Sequence, residues 1–373
     1  MKSALFWRLA LLLLPATLAV RLFAPQLDVL CFSLAALSLI PLARAMGVAT
    51  ETLAERMGPA PGSLLNATFG NAAELIVGIV ALAHGHVELV KGSLTGSILG
   101  NLLLVAGAAI VAGGLRTRRL RFNRLAAGAS VTTLFLSVVS MAAPAMLASM
   151  GHAPAVQMER LSVGISVVLL IMYGLSLLFV LHTHKGALGA HPENPATPAE
   201  AAAQGALDSQ ARNARTARKL EMPVGRAFAT LAAAAVATGF CSEVLVSALT
   251  GTLAALDLPE TFVGVVIVAI VGNAAEHSSA VLFGRRGDLD VALGIPWESS
   301  KQIALFVAPV LVIVGAAMGV PMNLAFTPFE VASVGLAVIS TALFALDGET
   351  HWLDGAFLIA VYAVLALGFF YLR

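Results

Sequence analysis

Runs of about twenty apolar residues recur along this 373-residue chain. A helix of that length spans a hydrocarbon core of about 30 Å. Eleven stretches qualify: 4–23, 27–46, 62–84, 93–113, 125–148, 160–181, 226–250, 260–282, 301–320, 326–346 and 354–372. Hydrophobic residues make up 59% of the chain and charged residues 12%, about half the usual charged share. A soluble fold of this size could not hide so much apolar surface. In lipid the backbone must satisfy its own hydrogen bonds, which favours helices. The expectation is an all-α integral membrane protein of about eleven transmembrane helices. Lys2 and Arg8 around the first run are also compatible with a signal peptide. No small-residue cleavage pattern follows, so the run is read as a span.

Charge fixes orientation. Of the 22 Lys and Arg, seventeen fall in inside loops when the N-terminus is cytoplasmic, and four outside; cytoplasmic loops carry such an excess. Net charge is +1, which gives no global support for a nucleic-acid partner. Cys31 and Cys241 each lie in an apolar run and read as buried thiols.

Residues 182–223 form the one long polar break. It opens as a Pro/Gly-rich linker. Its second part, 199–220, reads either as a basic surface helix on anionic headgroups or as a solvated loop. Six runs precede the break and five follow it.

The sequence GNAAE occurs twice, at 70–74 and 272–276, an offset of 202. Ser97 and Ser299 repeat at the same offset. The two copies lie five runs apart, so they cross the membrane in opposite directions. That is the inverted-topology repeat of secondary transporters, whose site lies near the midplane.

A mid-membrane glutamate costs about 2.5–3.5 kcal/mol on insertion scales. Neither Glu74 nor Glu276 has a Lys or Arg within one turn. Each therefore needs a proton or a metal cation, and the two exclude one another. That alternation is the basis of proton/cation antiport. Asn71 and Asn273 stand three residues before each glutamate, on the same helix face. Ser93, Ser97 and Asn101 line one face of the fourth run, beside the small residues Gly92, Gly96 and Gly100. Carboxylate, amide and hydroxyl oxygens suit a hard cation. Such a site favours calcium over zinc or copper, and separates it less sharply from manganese, magnesium or sodium.

Other polar residues have two readings each. Glu243, inside the seventh run, is a proton relay or a structural hydrogen-bond partner. His277 carries a proton, gates the pathway or packs as a neutral imidazole. Glu51 reads as an interfacial helix residue, and His84 and His86 as a loop pair with no specific role. No HExxH helix or nucleophile–base pair supports a hydrolase.

The segments GSLLNATFGNAAELIVGIVAL (62–82) and VGNAAEHSSAVLFG (271–284), with LTGSILGNLLLVAG (94–107) and SSKQIALFVAPVLVI (299–313), carry a resemblance. So do ATETLAERMGP and CSEVLV. Together they resemble the calcium/proton exchanger family of the cation/calcium exchanger superfamily. The resemblance implies an extra N-terminal span (1–24), two inverted five-helix repeats (25–181 and 224–373) and the cytoplasmic linker 182–223 between them. It implies export of calcium in exchange for protons, with no cofactor, by a multi-pass protein of a bacterial inner membrane. Its partners would be Ca2+, H+ and the bilayer. Glu74 and Glu276 would be the central metal-binding carboxylates. Asn71, Asn273, Ser97, Asn101, Ser299 and Gln302 would be polar ligands or gates, and His277 matches the family's histidine. A sodium- or potassium-coupled antiporter on the same scaffold is the alternative.

Three features depart from the family pattern. The linker mixes Glu193, Glu200, Asp208 and Glu221 with five basic residues, where members commonly carry an acidic helix. Glu298 stands at the place of Gly96, and Lys301 where a small or hydroxyl residue is usual. Their i, i+3 spacing predicts that they neutralise one another.

Overall fold

The structure, a computed structural model, describes residues 12–57, 62, 65–66, 68–151, 154–179 and 222–372. The segment 199–220 lies outside the described residues, as does the start of the first run.

Helix α1 is Leu13–Phe23 and α2 is Asp28–Met57. A short α3, Ala72–Ala83, turns at Gly85 into α4, Val87–Gly114. Helices α5 (Arg124–Ser149) and α6 (Ala155–Leu178) complete the first half. The second half holds α7 (Val224–Ser247), α8 (Leu249–Leu256), α9 (Glu260–Gly272), α10 (Ala274–Arg285), α11 (Leu289–Ala317), α12 (Pro328–Ala345) and α13 (Trp352–Tyr371). Two short strands, β1 (Leu120–Arg121) and β2 (Glu349–Thr350), pair antiparallel. Among the described residues, eight helices are long and apolar enough to cross a membrane. The pair α8–α9, bent by 108°, makes a ninth, and α1 and α3 are shorter apolar helices. The chain is a multi-pass helical membrane protein.

Several predicted runs are built differently. Runs 62–84 and 260–282 are each interrupted, at Gly70–Asn71 and at Asn273. Run 226–250 stops at Ser247 and resumes as α8. Run 301–320 belongs to a helix that starts earlier, at Leu289. Its added turns, LDVALGIPWESS, are too polar for a hydropathy signal, yet Leu289, Ala292, Leu293, Trp297 and Ser300 are buried against protein rather than lipid.

Helix α4 is the hub. Of its apolar window 83% is buried inside the protein, against 22% for α6. It packs on α9, α10 and α13, while α2 lies along α7 and α5 along α12. Glycine makes the α4–α9 crossing possible. A Cβ on Gly92 would lie 2.8 Å from the Thr261 carbonyl, one on Gly96 would strike the Val265 carbonyl, and one on Gly264 would lie 2.6 Å from the Leu89 carbonyl. Gly100, expected on the same small-residue face, has nothing within 4 Å and instead opens a π-helical segment, Gly100–Val105. A second such segment, Ile303–Val307, interrupts α11. These π segments follow Ser97 and Ser299 in turn.

Polar contacts sort the helix ends onto two faces. On one, β1 meets β2, the Asn123 amide donates to Asp290 Oδ1 (2.6 Å) and Arg56 donates to the Met222 carbonyl (3.0 Å). On the other, Lys91 donates to Asn323 Oδ1 (2.9 Å) and the Ala325 carbonyl (3.0 Å), and the Leu324 amide donates to Ser162 Oγ (2.9 Å).

Candidate cation site

Both GNAAE copies sit at a helix break. Asn71 has φ −106°, ψ 25° and Asn273 has φ −92°, ψ 6°, in the sparsely allowed bridge region. Each glutamate therefore falls in the first turn of a new helix, Glu74 in α3 and Glu276 in α10. The positive end of a helix dipole favours negative charge there. Discontinuous helices of this kind form ion sites in secondary transporters.

The breaks bring the predicted polar residues together across the two halves of the chain. Asn71 Nδ2 donates to Gln302 Oε1 at 2.5 Å, Asn273 Nδ2 to Ser97 Oγ at 2.9 Å and Asn101 Nδ2 to Ser299 Oγ at 3.0 Å. In every pair one residue precedes the polar break and the other follows it. Gly272 lies beside Glu74: a Cβ there would sit 3.6 Å from Glu74 Oε1. The five Asn and Ser residues are buried. Glu74, Glu276 and Gln302 are half-buried on the wall of a cavity of about 1180 Å³. That cavity runs out past Glu51, Arg44 and Arg226 to Arg286, on the face that carries Arg56 and Met222. No residue of the Lys91–Asn323 face lines it.

What the three amides leave over matters most. Each spends its NH2 on a neighbouring oxygen. Asn71 Oδ1, Asn101 Oδ1 and Asn273 Oδ1 are then buried with no hydrogen-bond partner, as is Glu276 Oε2. An orphaned buried acceptor costs about 1–3 kcal/mol. Three of them belong to the cross-chain amide cluster and the fourth to Glu276 itself, so the site is short of positive charge. An all-oxygen donor set of this kind fits a hard cation.

The remaining candidates lie elsewhere. His277 is not on the cavity wall. Its position on α10 is in line with Ala280 and Gly284, the face packed against α4, and its Nε2 is buried without a partner. Glu243 is not deep: it sits on the exposed face of α7, 3.2 Å from His84 Nε2. His86 Nδ1 lies 3.0 Å from Glu260 Oε1, so both loop histidines have acidic partners. Glu51, read as interfacial, lines the cavity. Lys301 Nζ meets Glu298 Oε2 at 2.5 Å, as their spacing predicts; Lys301 is 15% exposed and off the cavity wall, while Glu298 lines it.

One buried acid escaped the sequence reading. Glu330 on α12 is 0% exposed and accepts from Thr95 Oγ1 (3.2 Å), the Thr327 amide (2.9 Å) and Thr327 Oγ1 (2.9 Å). The signal was available: Thr327-Pro-Phe-Glu330 before an apolar run is a capping box.

The chain matches the sodium/calcium exchanger protein family over residues 27–182 and 226–371. The Ca(2+)/H(+) antiporter of Synechocystis sp. is 42% identical over 342 residues, 91% of this chain and 90% of that protein. The Ca(2+)/H(+) antiporter ChaA of Bacillus subtilis is 39% identical over 346 residues, 91% and 92%. The solved structure of native YfkE superposes with a TM-score of 0.81 at 34% identity, covering 98% of this chain and 99% of the other.

Proposed function

The chain belongs to the sodium/calcium exchanger protein family, in its calcium/proton exchanger branch, and on that premise we propose that it exports calcium from the cytoplasm in exchange for protons. The observation that carries the proposal is the set of unpartnered buried oxygens around Glu74 and Glu276. With Glu74 and Glu276 deprotonated, calcium entering from the cavity mouth is held by both carboxylates. The oxygens of Asn71, Asn101 and Asn273 join them, with Ser97, Ser299 and Gln302 orienting those amides. The site then turns to the opposite face, external protons neutralise the carboxylates, and calcium leaves. Protonated carriers return. His277 and Glu243 are given no relay or gate role, because His277 shares the α10 face packed against α4 and Glu243 pairs with His84 on the exposed face of α7.

The proposed architecture is eleven crossings: α1, then inverted repeats over 25–181 and 224–373. Helix breaks and π segments recur near the same offset. Packing supports it too, since α4 against α13 becomes α11 against α6 when the halves are exchanged. Arginines 44, 56, 226 and 286 mark the cavity-mouth face as cytoplasmic, which puts the N-terminus inside. The expected membrane is a bacterial inner membrane. Sodium or potassium as the counter-ion is the reading this one displaces.

Calcium and protons compete for the same oxygens, so calcium binding releases protons. Apparent calcium affinity should then rise with pH by about tenfold per unit for each proton released. Calorimetric titration of detergent-solubilised protein over a pH series, in two buffers of different ionisation enthalpy, measures it. Calcium affinity independent of pH would reject the shared site.

Lys301→Ser should leave calcium transport within about twofold of the parent, because Lys301 is off the cavity wall and its partner Glu298 is half-exposed on that wall, where water can solvate it once the lysine is gone. A gain or loss beyond tenfold in vesicle flux would place the Lys301 charge in the pathway.

A further inference from the structure

A second concavity, of about 460 Å³, opens beside the cavity mouth on the same face. It lies where α4 and α10 end together. A Cβ on Gly113 would stand 2.6 Å from the Gly284 carbonyl, so the two helices meet almost backbone to backbone. Gly287, at φ +81°, then turns the chain away. Around the hollow stand Arg116, Thr117, Arg285 and Arg286.

Charge is unbalanced there. Two helix C-termini together bring about one negative charge, against three guanidinium groups. Arg119 and Arg121 nearby are paired with Glu349, at 3.9 Å and 2.8 Å. Among the described residues, no carboxylate lies within ion-pair distance of Arg116, Arg285 or Arg286. Arg286 lies 5.9 Å from the Phe283 ring centroid, a contact that orients its guanidinium. Arginine forks match phosphate oxygens in pairs, and Thr117 adds a hydroxyl donor. The half-exposed, apolar Leu282 forms the rest of the rim.

We propose that this hollow is a binding site for a phosphate group, the chemistry shared by an anionic phospholipid headgroup and free phosphate. Positive charge near the cytoplasmic surface attracts anionic lipid in general; the hollow adds three arginines on one rim, none paired with an acid among the described residues. The proposal does not depend on which ion the larger cavity carries.

The test uses the full chain in neutral detergent, titrated separately with short-chain phosphatidylglycerol, phosphatidylcholine and inorganic phosphate while the melting temperature is followed. Saturable stabilisation is expected from phosphatidylglycerol or phosphate and not from phosphatidylcholine. The double variant R116Q/R285Q should weaken it about tenfold or more, while R118Q/R119Q, with the same loss of charge outside the hollow, should not. R116K/R285K, which keeps the charge, should retain most of the affinity and shows that the site tolerates substitution. Tighter binding of phosphatidylglycerol than of phosphate assigns the lipid as source, and the reverse assigns a soluble anion. Equal weakening by the two glutamine double variants, or no saturable effect of either phosphate probe, would overturn the proposal.

Discussion

Glu74→Gln and Glu276→Gln should each abolish proton-driven calcium flux, while the calcium-free protein stays as stable as the parent or becomes more stable. The two signs separate a ligand role from a structural one. Each carboxylate sits in the first turn of a helix that restarts beside the cavity, and Glu276 Oε2 and three asparagine oxygens around the pair have no partner. Removing one charge from a buried ion–ligand set costs about 3–5 kcal/mol, more than a hundredfold in calcium affinity. Without calcium the parent's buried carboxylates are neutralised by protons, and glutamine, a neutral side chain of nearly the same shape, should cost the calcium-free protein nothing. Melting curves with and without calcium read both effects, since a ligand that binds only the folded state raises the midpoint. Loss of stability in the calcium-free variants, or an unchanged calcium-dependent shift, would contradict this assignment.

Gly96→Ala should lose flux and stability together. A Cβ there strikes the backbone carbonyl of Val265, which a rotamer change cannot relieve, and Gly92 and Gly264 hold the same crossing closed. Overpacking costs about 1–3 kcal/mol where side chains can yield, and backbone yields less. The crossing also carries Ser97 to Asn273, so a shift of α4 against α9 pulls the site apart. Gly128→Ala in α5 is the matched control. A Cβ there meets nothing within 4 Å, and alanine is a better helix former by about 1 kcal/mol. Melting temperature and vesicle flux should fall for the first and hold or rise for the second. Equal behaviour of the two would show that the α4–α9 contact is not tight.

Much of this was legible in the sequence because lipid imposes a simple rule. Apolar length announces a helix, and any acid left within it stands out. Glu74, Glu276 and the repeated Asn and Ser residues could be found that way, and so could the Glu298–Lys301 pair from its spacing. The helix breaks could not. Hydropathy passes smoothly over Gly70–Asn71 and Gly272–Asn273, since a change of φ and ψ at one residue leaves the apolar pattern intact. Nor did the offset of 202 give the pairing. Strict symmetry would match Asn273–Ser97 with Asn71–Ser299, but Asn71 takes Gln302 and Ser299 takes Asn101. The repeat fixes which residues meet at the centre, and local side-chain length decides who bonds to whom. Glu243 was placed too deep for a related reason. An apolar run does not reveal which of its faces is exposed, and at the end of α7 the exposed face holds the acid.

The central claim is that protons, and no other ion, drive calcium through the Glu74–Glu276 site. Flux in proteoliposomes under separately imposed gradients tests it most directly. With calcium outside and the lumen acid, the account predicts calcium uptake in media free of sodium and potassium, collapsing when the pH gradient is dissipated. Calcium uptake that ignores the pH gradient and follows a sodium or potassium gradient instead would contradict it.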